Sequence, residues 1–224
     1  MSVWNIHLLN ARHDLTCVLS EIRQASREAV ARASDHVDLP DFDLVVRARQ
    51  DRSADGAVQG HAPAPGVIEI ALTPDRFDAA SFTRALVRQM AHLIRWTGPG
   101  YGKSLGEALV SEGLAGHFVL QVLGGQPDPC DSVRHAPGAM RQAMNEWARR
   151  DYDHARWFGG KGDLRKWTGN SLGHRVVAEH LAERTGDPAA LLATAPAEPF
   201  RQILRRIAAA EGQADPEAAP SEEG

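Results

Sequence analysis

Two stretches decide the reading of this chain: Ser81-Phe-Thr-Arg-Ala-Leu-Val-Arg-Gln-Met-Ala-His-Leu-Ile-Arg-Trp96 and Ser104-Leu-Gly-Glu-Ala-Leu-Val-Ser-Glu-Gly-Leu-Ala-Gly-His-Phe-Val-Leu-Gln-Val-Leu123. Both have the periodicity of an amphipathic helix, the first with Ser81 placed as its N-cap. In the first, Phe82, Leu86, Met90 and Leu93 share an apolar face. Arg84, Arg88, His92 and Arg95 form a stripe along its edge, and Gln89 falls inside the apolar arc. A buried amide needs partners, since leaving it unsatisfied costs roughly 1–3 kcal/mol. In the second, Leu105, Leu109, Val119 and Leu123 define the apolar face, and Glu112 projects into its middle. A carboxylate there must be paired, metal-bound or protonated. Glu107 points elsewhere. Gly106, Gly113 and Gly116 leave room for a neighbouring backbone.

Outward from these helices the pattern is α+β, with strands early and helices late. Trp4–Leu9, Phe42–Arg49 and Val67–Leu72 read as strands, the last being apolar, β-branched and closed by Thr73-Pro74. Leu15–Ala33 reads as a helix with Asp14 as N-cap. The Gly- and Pro-containing segment Asp51–Pro65 reads as a loop. Further helices are expected over Val133–Arg150, with an interruption at Pro137-Gly138, over Asn170–Arg184 and over Glu198–Ala210. Residues 1–210 form one expected domain. Residues 211–224, acidic, Ala/Pro-rich and free of aromatics, are expected to be a disordered tail.

The chain has 224 residues, 43% of them hydrophobic and 24% charged, which is enough for a sizeable core. A net charge of -4 supplies no basic field for nucleic acid. No run approaches the ~20 apolar residues of a membrane span. The N-terminus lacks a signal peptide's basic region, so a cytoplasmic location is expected. Cys17 and Cys130 are expected to be free thiols.

The two helices set Arg88, Gln89 and His92 opposite Glu112. Zinc peptidases of the HExxH type bind metal through two histidines at i and i+4, use the intervening Glu as general base, and take a third ligand from a later helix. In the gluzincin branch that ligand is a Glu about twenty residues on, and the interval from His92 to Glu112 fits. The chain resembles a bacterial family of predicted zinc-dependent proteases, a zincin-like domain of unknown function. The resemblance rests on Arg88-Gln-Met-Ala-His92-Leu-Ile-Arg95 and on Gly100-Tyr-Gly-Lys-Ser-Leu-Gly-Glu-Ala-Leu-Val-Ser-Glu-Gly-Leu-Ala-Gly-His-Phe118. It also covers Asp153-His-Ala-Arg-Trp-Phe-Gly159 and Trp167-Thr-Gly-Asn-Ser-Leu-Gly-His174. It implies a zincin-like fold, with a small N-terminal β-sheet followed by a mainly helical region.

Against that pattern, Arg88 stands at the first metal ligand and Gln89 at the general base. Asn170 and His174 stand where the pattern has tyrosines. His92, Arg95 and Glu112 remain. An arginine keeps its proton and a glutamine cannot take one, so the resemblance implies a catalytically impaired pseudopeptidase that binds a peptide or protein partner. No cofactor is then expected. The alternative is an active metallohydrolase that holds zinc through His92, Glu112 and a relocated third ligand, His154 or His174. A third reading is a non-enzymatic helical domain whose partner binds elsewhere, such as the acidic tail. Arg95, His154, Asn170 and His174 are the further cleft candidates. His117 lies more than about 120° around its helix from Glu112, too far to share a metal with it.

Overall fold

The computed structural model of the protein describes residues 2–49, 56–184 and 187–213. Among these the chain is α+β, with four strands and eight α-helices. The strands are β1 (Trp4–Leu9), β2 (Phe42–Ala48), β3 (Val58–Ala64) and β4 (Val67–Leu72). They form one sheet in the order β1-β2-β4-β3. β1, β2 and β4 run parallel, and β3 is antiparallel to β4. The helix α1 (Leu19–Ser34) makes the crossover that parallel neighbours β1 and β2 require. One sheet face is packed, with Leu44, Val46, Ile68, Ile70 and Leu72 fully buried. The other is polar, and there His7 and Asp43 meet at 2.9 Å.

β3 corrects the sequence reading, which made residues 51–65 a loop. Val58-Gln-Gly-His-Ala-Pro-Ala64 has little β propensity and contains both Gly and Pro. It forms a strand because it can sit at an edge. Pro63 has no N–H to offer a neighbour, and the register slips between His61 and Ala64. Val67–Leu72 therefore lies inside the sheet.

The helix α2 (Ala79–Arg95) begins two residues before Ser81, because the Asp78 carboxylate, not the Ser81 hydroxyl, caps it by accepting from the Ser81 N–H at 2.7 Å. The helix α3 (Leu105–Leu123) begins as expected. Ser104 and Glu107 form a reciprocal capping box, so Glu107 is spent on the cap. The expected third helix shrinks to α4 (Ala139–Glu146), which starts after Pro137-Gly138. Ahead of it a 3-10 turn, Pro129–Asp131, crosses behind the α2 stripe. Two short helices, α5 (His154–Trp157) and α7 (Pro188–Thr194), were not anticipated. α6 (Thr168–Arg184) and α8 (Glu198–Gln213) complete the helical region. Because α8 runs to Gln213, residues 211–213 are helical rather than tail, and the rest of the expected tail lies outside the described residues.

The tightest crossing in the helical layer is between α3 and α6. A Cβ built on Gly173 would collide with the Leu109 carbonyl oxygen, and one on Gly113 with the Gly173 carbonyl. Both positions must lack a side chain for these helices to touch. Gly106 and Gly116 face side chains instead, the Trp147 ring in one case and Asp131 with His174 in the other. The α3–α6 contact brings Glu112 within reach of Asn170. Gly173→Ala should destabilise the fold by about 1–3 kcal/mol, the range for overpacking a closed contact. Urea unfolding checks this, and an unchanged midpoint would mean that the crossing is loose.

Candidate functional site

A cavity of about 1040 Å³ runs between β3, α2, α3 and the segments around residues 101, 128, 154 and 167. Arg88, Gln89, His92, Glu112, His154 and Asn170 all line it. Arg95 and His174, the other sequence candidates, do not.

α2 and α3 pack as expected, with His92 Nε2 3.5 Å from Glu112 Oε1. Both Glu112 oxygens have donors. Tyr101 Oη donates to Oε1 at 3.1 Å, and Asn170 Nδ2 donates to Oε2 at 2.8 Å. A hydroxyl has one proton, and Tyr101 gives it to Glu112. The 3.2 Å contact between Tyr101 Oη and His154 Nε2 therefore needs the proton on His154 Nε2. Burial, helped by the Glu112 charge, pushes the Tyr101 pKa well up, so the phenol stays protonated. Burial pushes His92 and His154 below the ordinary histidine value, although Glu112 opposes it in both. Both rings are thus neutral near pH 7, and His92 Nδ1 has no partner.

Arg88 does not pair with Glu112 through two parallel hydrogen bonds, as its place on the stripe suggests. Nη1 stands 3.6 Å from Glu112 Oε2, an ion pair too long for a hydrogen bond. Nη2 instead donates to Asp131 and, at 3.1 Å, to Asp128. Neither acid was singled out in the sequence, because both sit in the Pro-rich connection after α3, where helical periodicity carries no information. The signal that could have found them is the charge requirement of a buried arginine. Burial opposes the Arg88 charge and the neighbouring Asp131 and Glu112 favour it, and the guanidinium stays protonated. Cys130, between these acids, is a free thiol pushed up to about 12, mainly by burial, so it adds no charge near pH 7. Arg84 reinforces the same turn, donating to Asp128 and to the carbonyls of Gly124 and Gln126 at 3.1 and 3.0 Å.

Gln89 packs under the edge strand. A Cβ on Gly60 would stand 2.6 Å from Gln89 Cγ, so any larger residue at this point would push the Gln89 side chain aside. Arg95 lies behind the cleft and is 1% exposed. It meets no carboxylate in its hydrogen bonds. Nε donates to Gly100 O at 3.1 Å and to Ser111 Oγ at 2.9 Å, and Nη1 to Leu192 O at 3.2 Å. Ser111 Oγ donates in turn to Tyr101 O at 2.8 Å. Arg95 therefore positions the Gly100–Gly102 turn, and through it the Tyr101 hydroxyl. His174 stacks on His117 with ring centroids 4.0 Å apart, and His117 Nε2 meets the His174 carbonyl at 3.0 Å. Trp167, on the cavity wall, has φ +68, a strained value for a bulky residue.

Among the described residues, no three His, Cys, Asp or Glu side chains stand close enough together to hold a metal ion. The donor set explains this, since the Arg88 guanidinium fills the space between Glu112 and the Asp128–Asp131 turn. The residues present do not fit a catalytic zinc, which takes three protein ligands and an open position.

Two measurements test this electrostatic arrangement. Arg88→Ala strands Asp131 at nearly zero exposure and should cost about 3–5 kcal/mol, while Arg88→Ala with Asp131→Asn should recover part of that loss. A double-mutant cycle by chemical denaturation reads the coupling, and strict additivity would break the pairing. His174 gives the pH dependence. Burial, with the neighbouring His117 and Arg88, lowers its pKa from 6.5 to about 4. A depressed pKa contributes stability above the unfolded value that is lost as pH falls toward the folded value. Between pH 6.5 and 4 the protein should therefore lose about 1–3 kcal/mol at this residue, allowing for its partial exposure. His174→Gln should flatten that part of the stability–pH curve.

Neither curated proteins nor solved structures give a match to the chain. Residues 21–201 match the family described as "Predicted Zn-dependent protease". That span contains all but the first two residues of α1, the sheet from β2 onward, and every side chain of the cleft described above. The chain belongs to this predicted Zn-dependent protease family.

Proposed function

We propose that this protein is a pseudopeptidase of that family, with a gluzincin-type site in which Arg88 and Gln89 replace the first zinc ligand and the general base, and that its cleft binds a peptide in extended form without cleaving it. The observation that carries this reading is the Arg88 guanidinium beside Glu112 and locked to Asp128 and Asp131. A side chain that cannot lose its proton fills the space a metal would need.

The 3.5 Å between His92 Nε2 and Glu112 Oε1 supports the ancestry. Two ligands on one tetrahedral zinc, with bonds of ~2.0–2.1 Å, stand ~3.3 Å apart. These two side chains keep a ligand-like spacing with a guanidinium as their neighbour. Gln89 packs against Gly60 at the place that the family pattern gives to the base. A glutamine amide accepts no proton near neutral pH.

Peptide binding is supported by β3. It is an edge strand, and residues 58–63 line the cavity. An exposed edge offers main-chain donors and acceptors to an added strand, and a cavity beside it receives alternate side chains. The alternative of an active metallohydrolase with His154 as relocated ligand meets an obstacle, because the Tyr101 hydroxyl sits between His154 and Glu112, bonded to both. His174 is turned toward His117 and outside the cavity lining.

The wild-type chain should show no chelator-sensitive cleavage of casein or of a peptide library. Loss of the general base alone costs about 10²–10⁴-fold. Cleavage abolished both by chelator and by His92→Ala would overturn the proposal. Arg88→His with Gln89→Glu should gain zinc, read by metal analysis after gel filtration.

A further inference from the structure

The edge of β3 has a readable register. Thr73 N donates to Ala57 O at 2.8 Å, so residue 57 turns its carbonyl toward β4. Alternation then turns the main-chain groups of Val58, Gly60 and Ala62 away from β4, to an edge that no other described strand covers. At Ala62 the outward carbonyl is already taken, accepting from Trp96 Nε1 at 3.1 Å. Pro63 has no N–H. The edge open to a new strand is therefore short and centred on Val58 and Gly60, with Trp96 closing one end.

The cavity beside this edge has aromatic walls, and its charged lining is Glu112 and Asp128 with Arg84 and Arg88. Trp96, Tyr101 and Phe158 line it, as does Glu112. Glu112, Asp128 and Asp131 bring three carboxylates to one ionic cluster, and Arg84 and Arg88 bring two guanidinium groups. Among the described residues the cluster is one positive charge short. Of the three carboxylates, Glu112 has no hydrogen bond from an arginine, only neutral donors in Tyr101 and Asn170. Aromatic faces above a carboxylate suit a cation at the end of an apolar stem. An acidic side chain would add to the cluster's net negative charge, although Arg88 stands 3.6 Å from Glu112.

We infer that the cleft, on the peptide-binding reading above, takes an extended segment bearing a lysine or arginine side chain, with its backbone added to β3 at Val58 and Gly60 and its cationic group between the aromatic walls and Glu112. The backbone supplies attachment that any sequence can use. The charged group supplies selection.

The test uses the full chain and short fluorescently labelled peptides, blocked at both ends, that are alanine except for a central lysine, norleucine or glutamate. Fluorescence anisotropy should rank lysine first, about three- to tenfold tighter than norleucine, with glutamate weakest. The lysine advantage should shrink as salt is raised. Glu112→Gln should bring the lysine peptide down to the affinity of the norleucine peptide. Methylating the peptide's central backbone nitrogens should weaken the lysine and norleucine peptides alike, because it removes the strand's donors without altering the protein. Equal affinity for all three peptides would overturn the basic-side-chain inference and leave the peptide-binding reading standing. Tight binding of the methylated peptides would overturn the strand-addition register. Binding of no peptide would overturn the peptide-binding reading itself.

Discussion

Arg88 must keep its charge in a place where charge is costly, and much of the cleft is arranged around that requirement. Its side chain is 10% exposed, so most of its hydration is gone. The carboxylates of Asp131, Asp128 and Glu112 replace that hydration and draw three separate elements together: α2, α3 and the turn Pro129–Asp131. The guanidinium suits this work because its planar fork directs donors to more than one partner at once. It also keeps its own charge constant near neutrality, since arginine does not titrate there. A bound metal would tie the same elements together only while the metal was supplied. Here the cation is covalently part of the chain.

A second layer of constraint holds the partners of Glu112 in place. Asn170 reaches Glu112 because α6 crosses α3 where glycines at 113 and 173 let the backbones touch. Tyr101 reaches it because the turn that carries it, between two positive-φ glycines at 100 and 102, is pinned by Arg95 and Ser111. Neither positioning device touches the cavity. A substitution at Gly173 or Arg95 would therefore act on Glu112 at one remove, by moving its donors.

Helical periodicity made most of this legible in the sequence. The spacing of Phe82, Leu86, Met90 and Leu93, set against the intrusion of Glu112 on the next helix, is enough to place His92 and Glu112 opposite each other. The strands β1, β2 and β4 announce themselves by β-branched, apolar composition. Periodicity fails where structure is set by contacts between distant segments. Val58–Ala64 is a strand because β4 offers it an edge, and no local propensity says so. Asp128 and Asp131 lie in a Pro-rich turn, and only a buried arginine about forty residues earlier gives them a purpose. Arg95 looks like a member of the cleft stripe on a helical wheel. The chain after α2 turns back over it, however, and gives its donors to backbone carbonyls and a serine hydroxyl instead.

These misses bear on how binding and cleavage separate in such a cleft. Without either a metal or a cation in its place, Glu112 would be a carboxylate on an apolar helix face, and the α2–α3 contact would carry an unpaired charge. Arg88, anchored to Asp128 and Asp131, removes that penalty without altering the cavity's outer walls, which belong to β3, Trp96, Tyr101 and Phe158. On the pseudopeptidase reading, the groups that would activate water are gone, while the groups that would hold an extended chain are not. Holding needs only a free strand edge and a shaped wall, and cleavage needs a Lewis acid and a base as well. The loss of one set places no physical demand on the other. On that reading a cleft of this kind can keep its ligand selectivity without its chemistry, and Glu112, with no metal to coordinate, is available to choose the ligand's charge.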